Sequence, residues 1–364
     1  MSELKPETKP ELEPDSQQQP DPDEELLPHE DLARAALAYE NPDFLNSADG
    51  RLVRILSEYL EPTARFRRER IQDTVVFFGS ARFIGLDAAT AELQLLENTG
   101  SEELAPADEQ PAASVIASLN ATGEAPVAAT SDLQHKRAEA AVEMARYYED
   151  ARELGGMVAT WANSLPGRRH RFVVTSGGGP GIMEAANRGA FEAGCKTIGL
   201  NIKLPFEQRP NPWITPELNF EFHYFFMRKY WFAYLAKALV VFPGGFGTLD
   251  EMFELLTLAQ TKKLAKQITV VIYGSDYWKS IINLEEMAEK GAISIKDLDL
   301  FQFADTPQQA FEIIKEGLTR NHLDTPYDQQ QQQRYRDILD APGVPKEPAP
   351  SAQELLGPDI AKTR

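Results

Sequence analysis

Apolar positions through the middle of the chain form two alternating kinds of run. Short apolar runs, TVVFF (74–78), RFVVTS (171–176), KTIGLNIKL (196–204), ALVVF (238–242) and QITVVIYG (267–274), read as strands buried on both faces. Around them, apolar residues at three- and four-residue spacing predict helices over 51–62, 135–156, 182–194, 225–237 and 248–263, with a last pair over 276–289 and 307–319. Gly155-Gly156 is the expected stop of the second of these. Strands alternating with helices predict an α/β fold: a Rossmann-like doubly wound parallel sheet with helices on both faces. Such sheets bind ligands beyond the carboxyl ends of their strands, where the strand order reverses. A glycine-rich turn follows three of the predicted strands: GSAR the first, SGGGPG the second and PGGFGT the fourth.

The ends of the chain break this pattern. Residues 1–31, rich in Pro, Glu, Asp and Gln, are expected to be a disordered acidic tail, and 323–364, with its run of glutamines, a low-complexity tail. Between them, 32–73 reads as an N-terminal helical extension and 74–322 as the Rossmann-like domain, carrying an acidic insertion at 86–132. Charge follows the same division. Of the formal −19, eleven acids and two lysines put −9 in residues 1–31, and nine acids with no Lys or Arg put another −9 in 86–132, leaving the remainder near −1. The expected core is therefore nearly neutral, with no basic stripe for a nucleic acid and no uncharged stretch long enough for a membrane span. Cys195 is the single cysteine, which precludes an intramolecular disulfide and fits a cytoplasmic protein. The five histidines show no metal-ligand spacing, so no metal site is expected.

Three stretches carry candidate chemistry. In SGGGPGIMEAANRGA (176–190), Gly177, Gly178, Gly179 and Gly181 stand at a helix mouth, where backbone N–H groups and the helix dipole suit a phosphate; a tight strand-to-helix turn is the plainer alternative. The spacing is not that of a dinucleotide site: the last glycine of GxGxxG would fall on Ile182, and Asn201 and Lys203 stand where an acid would hold a ribose. No Walker lysine is present. In PGGFGTLDE (243–251), Gly244, Gly245 and Gly247 free the backbone, while Thr248 and Glu251 match a capping box, which would make Glu251 a purely structural residue. In FFMRKYWFAYLAK, Arg228 and Lys229 are either a solvated edge or a phosphate clamp beside the next strand's turn.

Taken together, SGGGPGIMEAANRGA and MRK…PGGFGTLDE resemble the LONELY GUY (LOG) family, Rossmann-like phosphoribohydrolases long labelled lysine decarboxylases, over roughly residues 70–320. The resemblance implies hydrolysis of the N-glycosidic bond of a nucleoside 5′-monophosphate, AMP-like or a cytokinin riboside monophosphate, to free base and ribose 5-phosphate. It also implies no cofactor and a homodimer or higher homo-oligomer. Catalytic roles fall on Arg228 and Glu251, and substrate or phosphate contacts on Ser80, Gly177, Gly178, Gly179, Gly181, Met227, Lys229, Gly244, Gly245, Gly247 and Thr248. The chain departs from the plant-like members in its GSAR turn, in the long NIKLPFEQRPNPWITPELNF segment and in the acidic insertion. Two other readings compete: a nucleotide or cofactor sensor on the same fold, and a decarboxylase, which would need pyridoxal phosphate on a lysine.

Overall fold

The structure, a computed structural model, describes residues 34–98, 131–204, 209–264 and 266–323. Both expected tails, apart from Leu323, and residues 99–130 of the expected insertion lie outside the described residues. The chain divides into two compact units, Met1–Arg51 and Leu52–Arg364. In the first, helix α1 (Pro42–Asn46) is capped by Asn41 Oδ1, which accepts from the N–H groups of Asp43 and Phe44.

The second unit is built on a seven-stranded, wholly parallel sheet. Its strands are β1 (Thr74–Phe78), β2 (Val173–Ser176), β3 (Thr197–Ile202), β4 (Asn219–Phe222), β5 (Ala236–Val241), β6 (Thr269–Tyr273) and β7 (Gln302–Ala304), in the spatial order β4-β3-β2-β1-β5-β6-β7. The chain moves outward from β1 to β4, returns to place β5 on the other side of β1, and moves outward again. The order therefore reverses between β1 and β5, which is where a doubly wound sheet opens its crevice.

Both faces are covered. Val75 and Phe77 of β1 enter an apolar layer with helices α4 (Ser131–Asn163), α5 (Ile182–Glu192) and α10 (Pro307–Leu318). Val76 and Phe78 enter the opposite layer, with α2 (Arg51–Arg68), α6 (Phe225–Leu235), α7 (Phe246–Gln260), α8 (Ser275–Ile281) and α9 (Leu284–Glu289). Burial of every β1 residue explains the continuous apolar run. No described helix is long and apolar enough to cross a membrane.

Several expectations are corrected. Strands β4 and β7 were not anticipated, so PGGFGT follows the fifth strand rather than the fourth. β4 alternates exposed and buried positions as a sheet edge does, and β7 has only three residues. Residues 86–98 of the expected acidic insertion form helix α3 (Leu86–Asn98), with Ala89 buried and Glu149 Oε1 accepting from the Leu86 N–H. Helix α4 does not stop at Gly155-Gly156 but continues to Asn163. These glycines serve close approach instead. A Cβ on Gly155 would come within 2.6 Å of the Ala186 carbonyl oxygen, and one on Gly189 would overlap the Arg152 carbonyl, so α4 and α5 pack backbone to backbone. Helix α2 runs through Pro62 to Arg68, beyond its expected end.

Candidate functional site

Three turns meet at the β1–β5 switch, and backbone hydrogen bonds join them. After β1, the Ser80 N–H donates to the Pro243 carbonyl (3.0 Å) in the turn after β5, and the Ser80 carbonyl accepts from the Ile182 N–H (3.0 Å) at the start of α5. One residue thus ties together the turns that carry SGGGPG and PGGFGT. Glycine is needed where they touch: a Cβ on Gly181 (φ +72°) would overlap the Ser80 carbonyl, and one on Gly244 would overlap Thr248 Oγ1. The Ser80 hydroxyl accepts from the Arg82 N–H at 3.1 Å.

The expected capping box does not form. Helix α7 begins at Phe246, with Gly245 in extended backbone as its N-cap and the Gly245 carbonyl accepting from the Leu249 N–H (3.0 Å). Thr248 is already inside the helix, its hydroxyl turned toward Gly244, so it offers Glu251 nothing to cap. Glu251, one turn further on, is 4% exposed and points at α6, where Arg228 Nη2 stands 3.5 Å from its Oε1.

The Arg228–Glu251 pair is poorly solvated. Burial lifts the Glu251 carboxyl to about 7, overcoming the lowering effect of Arg228 and Lys229. Burial also pulls the Arg228 guanidinium below its ordinary range, against the attraction of Glu251 and Asp250. An ion pair should shift both partners the other way, so desolvation dominates at this separation. Arg228 Nε is buried without a hydrogen-bond partner, and the guanidinium carbon lies 5.3 Å from the Phe225 ring centre and 5.6 Å from that of Phe232. A Cβ on Gly177 would stand 4.0 Å from Arg228 Nη1, which puts the guanidinium beside the first glycine turn.

Not every expected site residue comes to this mouth. Lys229 turns away: its Nζ lies 2.9 Å from both Asp250 Oδ2 and Glu254 Oε2, bracing α6 against α7. Met227 is buried in the apolar layer beside Trp231 and Phe232, because its helical position faces the sheet. Gly245 and Gly247, by contrast, border open space, and Phe246 between them is 93% exposed.

Sequence reasoning missed the residues that place Arg228. Glu58 of α2 accepts from the N–H groups of His223 (2.7 Å) and Tyr224 (3.2 Å) with its carboxylate, and from Trp231 Nε1 (2.9 Å) with its carbonyl. It thereby caps α6, which carries Arg228, from a helix read as a mere extension. Asn201, noted only as a non-acid, donates to Asn219 Oδ1 (2.8 Å) and the Phe220 carbonyl (3.0 Å), stitching β4 to β3. Among the described residues no cluster of His, Cys, Asp and Glu could hold a metal ion.

Comparison with known proteins finds similarity over part of the chain. A family model described as "Possible lysine decarboxylase" matches residues 183–314, which span α5 through most of α10. A protein of Oryza sativa subsp. japonica described as "Probable cytokinin riboside 5'-monophosphate phosphoribohydrolase" is 25% identical over 154 residues, covering 40% of this chain and 68% of that protein. Among solved structures, the molybdenum cofactor binding protein of Rippkaea orientalis aligns at 21% identity and a TM-score of 0.34, over 47% of this chain and 86% of that one. The Moco carrier protein of Chlamydomonas reinhardtii aligns at 28% identity and a TM-score of 0.32, over 48% and 89%. With its doubly wound parallel sheet, its two glycine-rich turns at the switch point and its match to the family model over residues 183–314, the chain is similar to the LONELY GUY (LOG) family.

Proposed function

We propose that this protein is a hydrolase that cleaves the N-glycosidic bond of a nucleoside 5′-monophosphate, AMP-like or a cytokinin riboside monophosphate, releasing free base and ribose 5-phosphate. The observation that carries the reading is the desolvated Arg228–Glu251 pair beside two glycine-rich turns at the strand-order reversal. The Oryza sativa relative is described as a phosphoribohydrolase of this kind, which supports the same reaction class for this chain.

As the C1′–N bond lengthens, its electron pair leaves with the base and the ribose acquires oxocarbenium character. In the proposed reaction the Glu251 carboxylate faces that positive charge, takes a proton from the incoming water and returns it to the departing base. A carboxyl poised near neutrality serves both halves of the exchange. Arg228 offsets charge on the leaving group or on the phosphate, and the N–H groups of the two turns hold the 5′-phosphate, using remote binding energy to orient the sugar. Decarboxylase chemistry would need a lysine free to form a Schiff base, whereas Lys229 is committed to two carboxylates. We further propose that the protein works as a homodimer, a reading supported by the apolar face that α2 leaves exposed.

The test is to incubate the purified protein with a panel of nucleoside monophosphates and to assay free base and ribose 5-phosphate. Release of both from at least one monophosphate, lost in Glu251→Ala, is the expected result. Tight nucleotide binding with no release from any monophosphate would instead make the protein a nucleotide-binding module on this fold.

A further inference from the structure

Each glycine-rich turn is gripped from behind by a side chain with no place in the mechanism above. Asn211, 6% exposed, lies on the long segment after β3. Its backbone N–H donates to the Gly178 carbonyl (2.8 Å), and its Nδ2 lies 3.1 Å from the Gly178 and Gly179 carbonyl oxygens and 3.0 Å from Asn187 Oδ1. The grip is backed by a buried chain: Asn187 Oδ1 also accepts from the Ser176 hydroxyl (2.6 Å), which accepts from the Gly178 N–H (3.0 Å). On the other turn, the Tyr277 hydroxyl of α8 donates to the Gly244 carbonyl at 3.0 Å.

A trans peptide points its carbonyl and N–H in opposite directions, and no described peptide bond is cis. Holding the Gly178 carbonyl toward Asn211 therefore turns the Gly179 N–H away from it, and holding the Gly244 carbonyl toward Tyr277 turns the Gly245 N–H away from that ring. The Gly179 N–H has no protein partner among the described residues. Two further polar groups beside these turns have hydrogen-bonding capacity to spare. Arg228 Nε is buried without a partner, and Glu251, whose side chain is 6% exposed, accepts no hydrogen bond from a described residue.

We propose that Asn211 and Tyr277 are positioning residues that fix the peptide orientation of the two turns, so that the Gly179 and Gly245 N–H groups are presented to a phosphate monoester. This rests on the reading of the site as a nucleotide site and names the residues that build its phosphate end. Neither side chain touches the ligand. Each removes an alternative peptide orientation, in which a carbonyl oxygen would face the anion and repel it.

The experiment measures ribose 5-phosphate, inorganic phosphate and adenine binding by calorimetry in wild type, Tyr277→Phe and Asn211→Ser. Tyr277→Phe deletes one hydroxyl from a half-buried ring and should keep the wild-type melting temperature, so it carries the test even if Asn211→Ser folds poorly. The expected result is an affinity for ribose 5-phosphate and phosphate weakened about tenfold in Tyr277→Phe, with adenine affinity unchanged. Unchanged phosphate affinity in Tyr277→Phe, an equal loss for adenine, or no phosphate affinity in wild type would overturn the proposal. A wild type that binds ribose 5-phosphate yet releases base from no monophosphate would sink the hydrolase reading alone.

Discussion

Glu251 keeps its carboxylate 3.5 Å from the Arg228 guanidinium, yet burial raises that acid to about 7. An ordinary glutamate is almost wholly ionised at pH 6, whereas this one changes charge across neutrality. If the ionised form faces the developing oxocarbenium, kcat/KM for the best monophosphate should climb as pH rises through an apparent pKa near 7. Glu251→Gln should abolish that limb and cost on the order of 10²-fold or more in rate. A pH–rate profile of both proteins checks it, and a limb that persists in Glu251→Gln would remove Glu251 from the role.

The same shift bears on stability. Because folded Glu251 holds its proton more tightly than the unfolded chain, its contribution is fully present below the unfolded value of 4.5 and is lost as pH rises through about 7. Arg228 stays charged throughout and cancels from the comparison between pH values. Relative to wild type, Glu251→Gln should therefore gain stability between pH 5 and 8, by at most about 3 kcal/mol. Thermal melts at the two pH values would show the difference, and a constant gap in melting temperature would mean that Glu251 is already ionised at pH 5.

Much of this was legible because buried parallel strands and glycine-rich turns leave local signatures: TVVFF is β1, and ALVVF and QITVVIYG became β5 and β6 with ends shifted by a residue or two. What escaped depends on partners distant in sequence. NFEF does carry the polar–apolar alternation of an edge strand, but over only four residues, and its pairing with β3 decides it. The T-x-x-E pattern is a sound capping signal, but Gly245 starts the helix three residues earlier than a Thr248 cap requires. Glu58, Asn211 and Tyr277 hold the site through backbone groups, 165, 33 and 33 residues away respectively, and side-chain identity alone does not announce such bonds.

Phe246 is 93% exposed between two glycines that border open space, on the first turn of α7 at the mouth of the crevice. It contributes almost nothing to the core, so Phe246→Ala should leave the melting temperature nearly unchanged. An aromatic ring in that position can stack on a nucleobase, an interaction of about 1–3 kcal/mol in nucleic-acid sites. The expected outcome is a KM for the monophosphate raised about fivefold or more, with ribose 5-phosphate affinity unaltered. Steady-state kinetics beside calorimetry separates the two; unchanged KM would leave the ring without a part in recognition.

Helix α2 exposes Leu52 (66%), Leu56 (49%) and Leu60 (60%) at four-residue spacing, one apolar stripe along its outer side. Solvating such a stripe is unfavourable, and a second copy of the chain would cover it. Light scattering should give about twice the chain mass of 40.7 kDa for wild type, falling toward the single mass in a Leu56→Glu, Leu60→Glu double variant. A wild type of single mass would remove the dimer proposal.

Gly189 sits where α5 crosses α4, and a methyl group there would overlap the Arg152 carbonyl and approach the Gly156 backbone nitrogen to 2.8 Å. Both obstacles are backbone, so a rotamer change cannot relieve the overlap; the helices must separate. Because α5 also carries Ile182, whose N–H bonds the Ser80 carbonyl, that separation loads the junction of the two turns. Overpacking typically costs about 1–3 kcal/mol. Gly189→Ala should therefore lower the melting temperature and weaken ribose 5-phosphate binding together. Gly194→Ala provides the contrast: no atom lies within 4 Å of its Cβ, so its cost arises only from the left-handed φ of +70° at the end of the same helix. It should lose stability while keeping phosphate affinity. Equal losses of affinity in the two variants would show that general destabilisation, and not the crossing of α4 and α5, governs the turns.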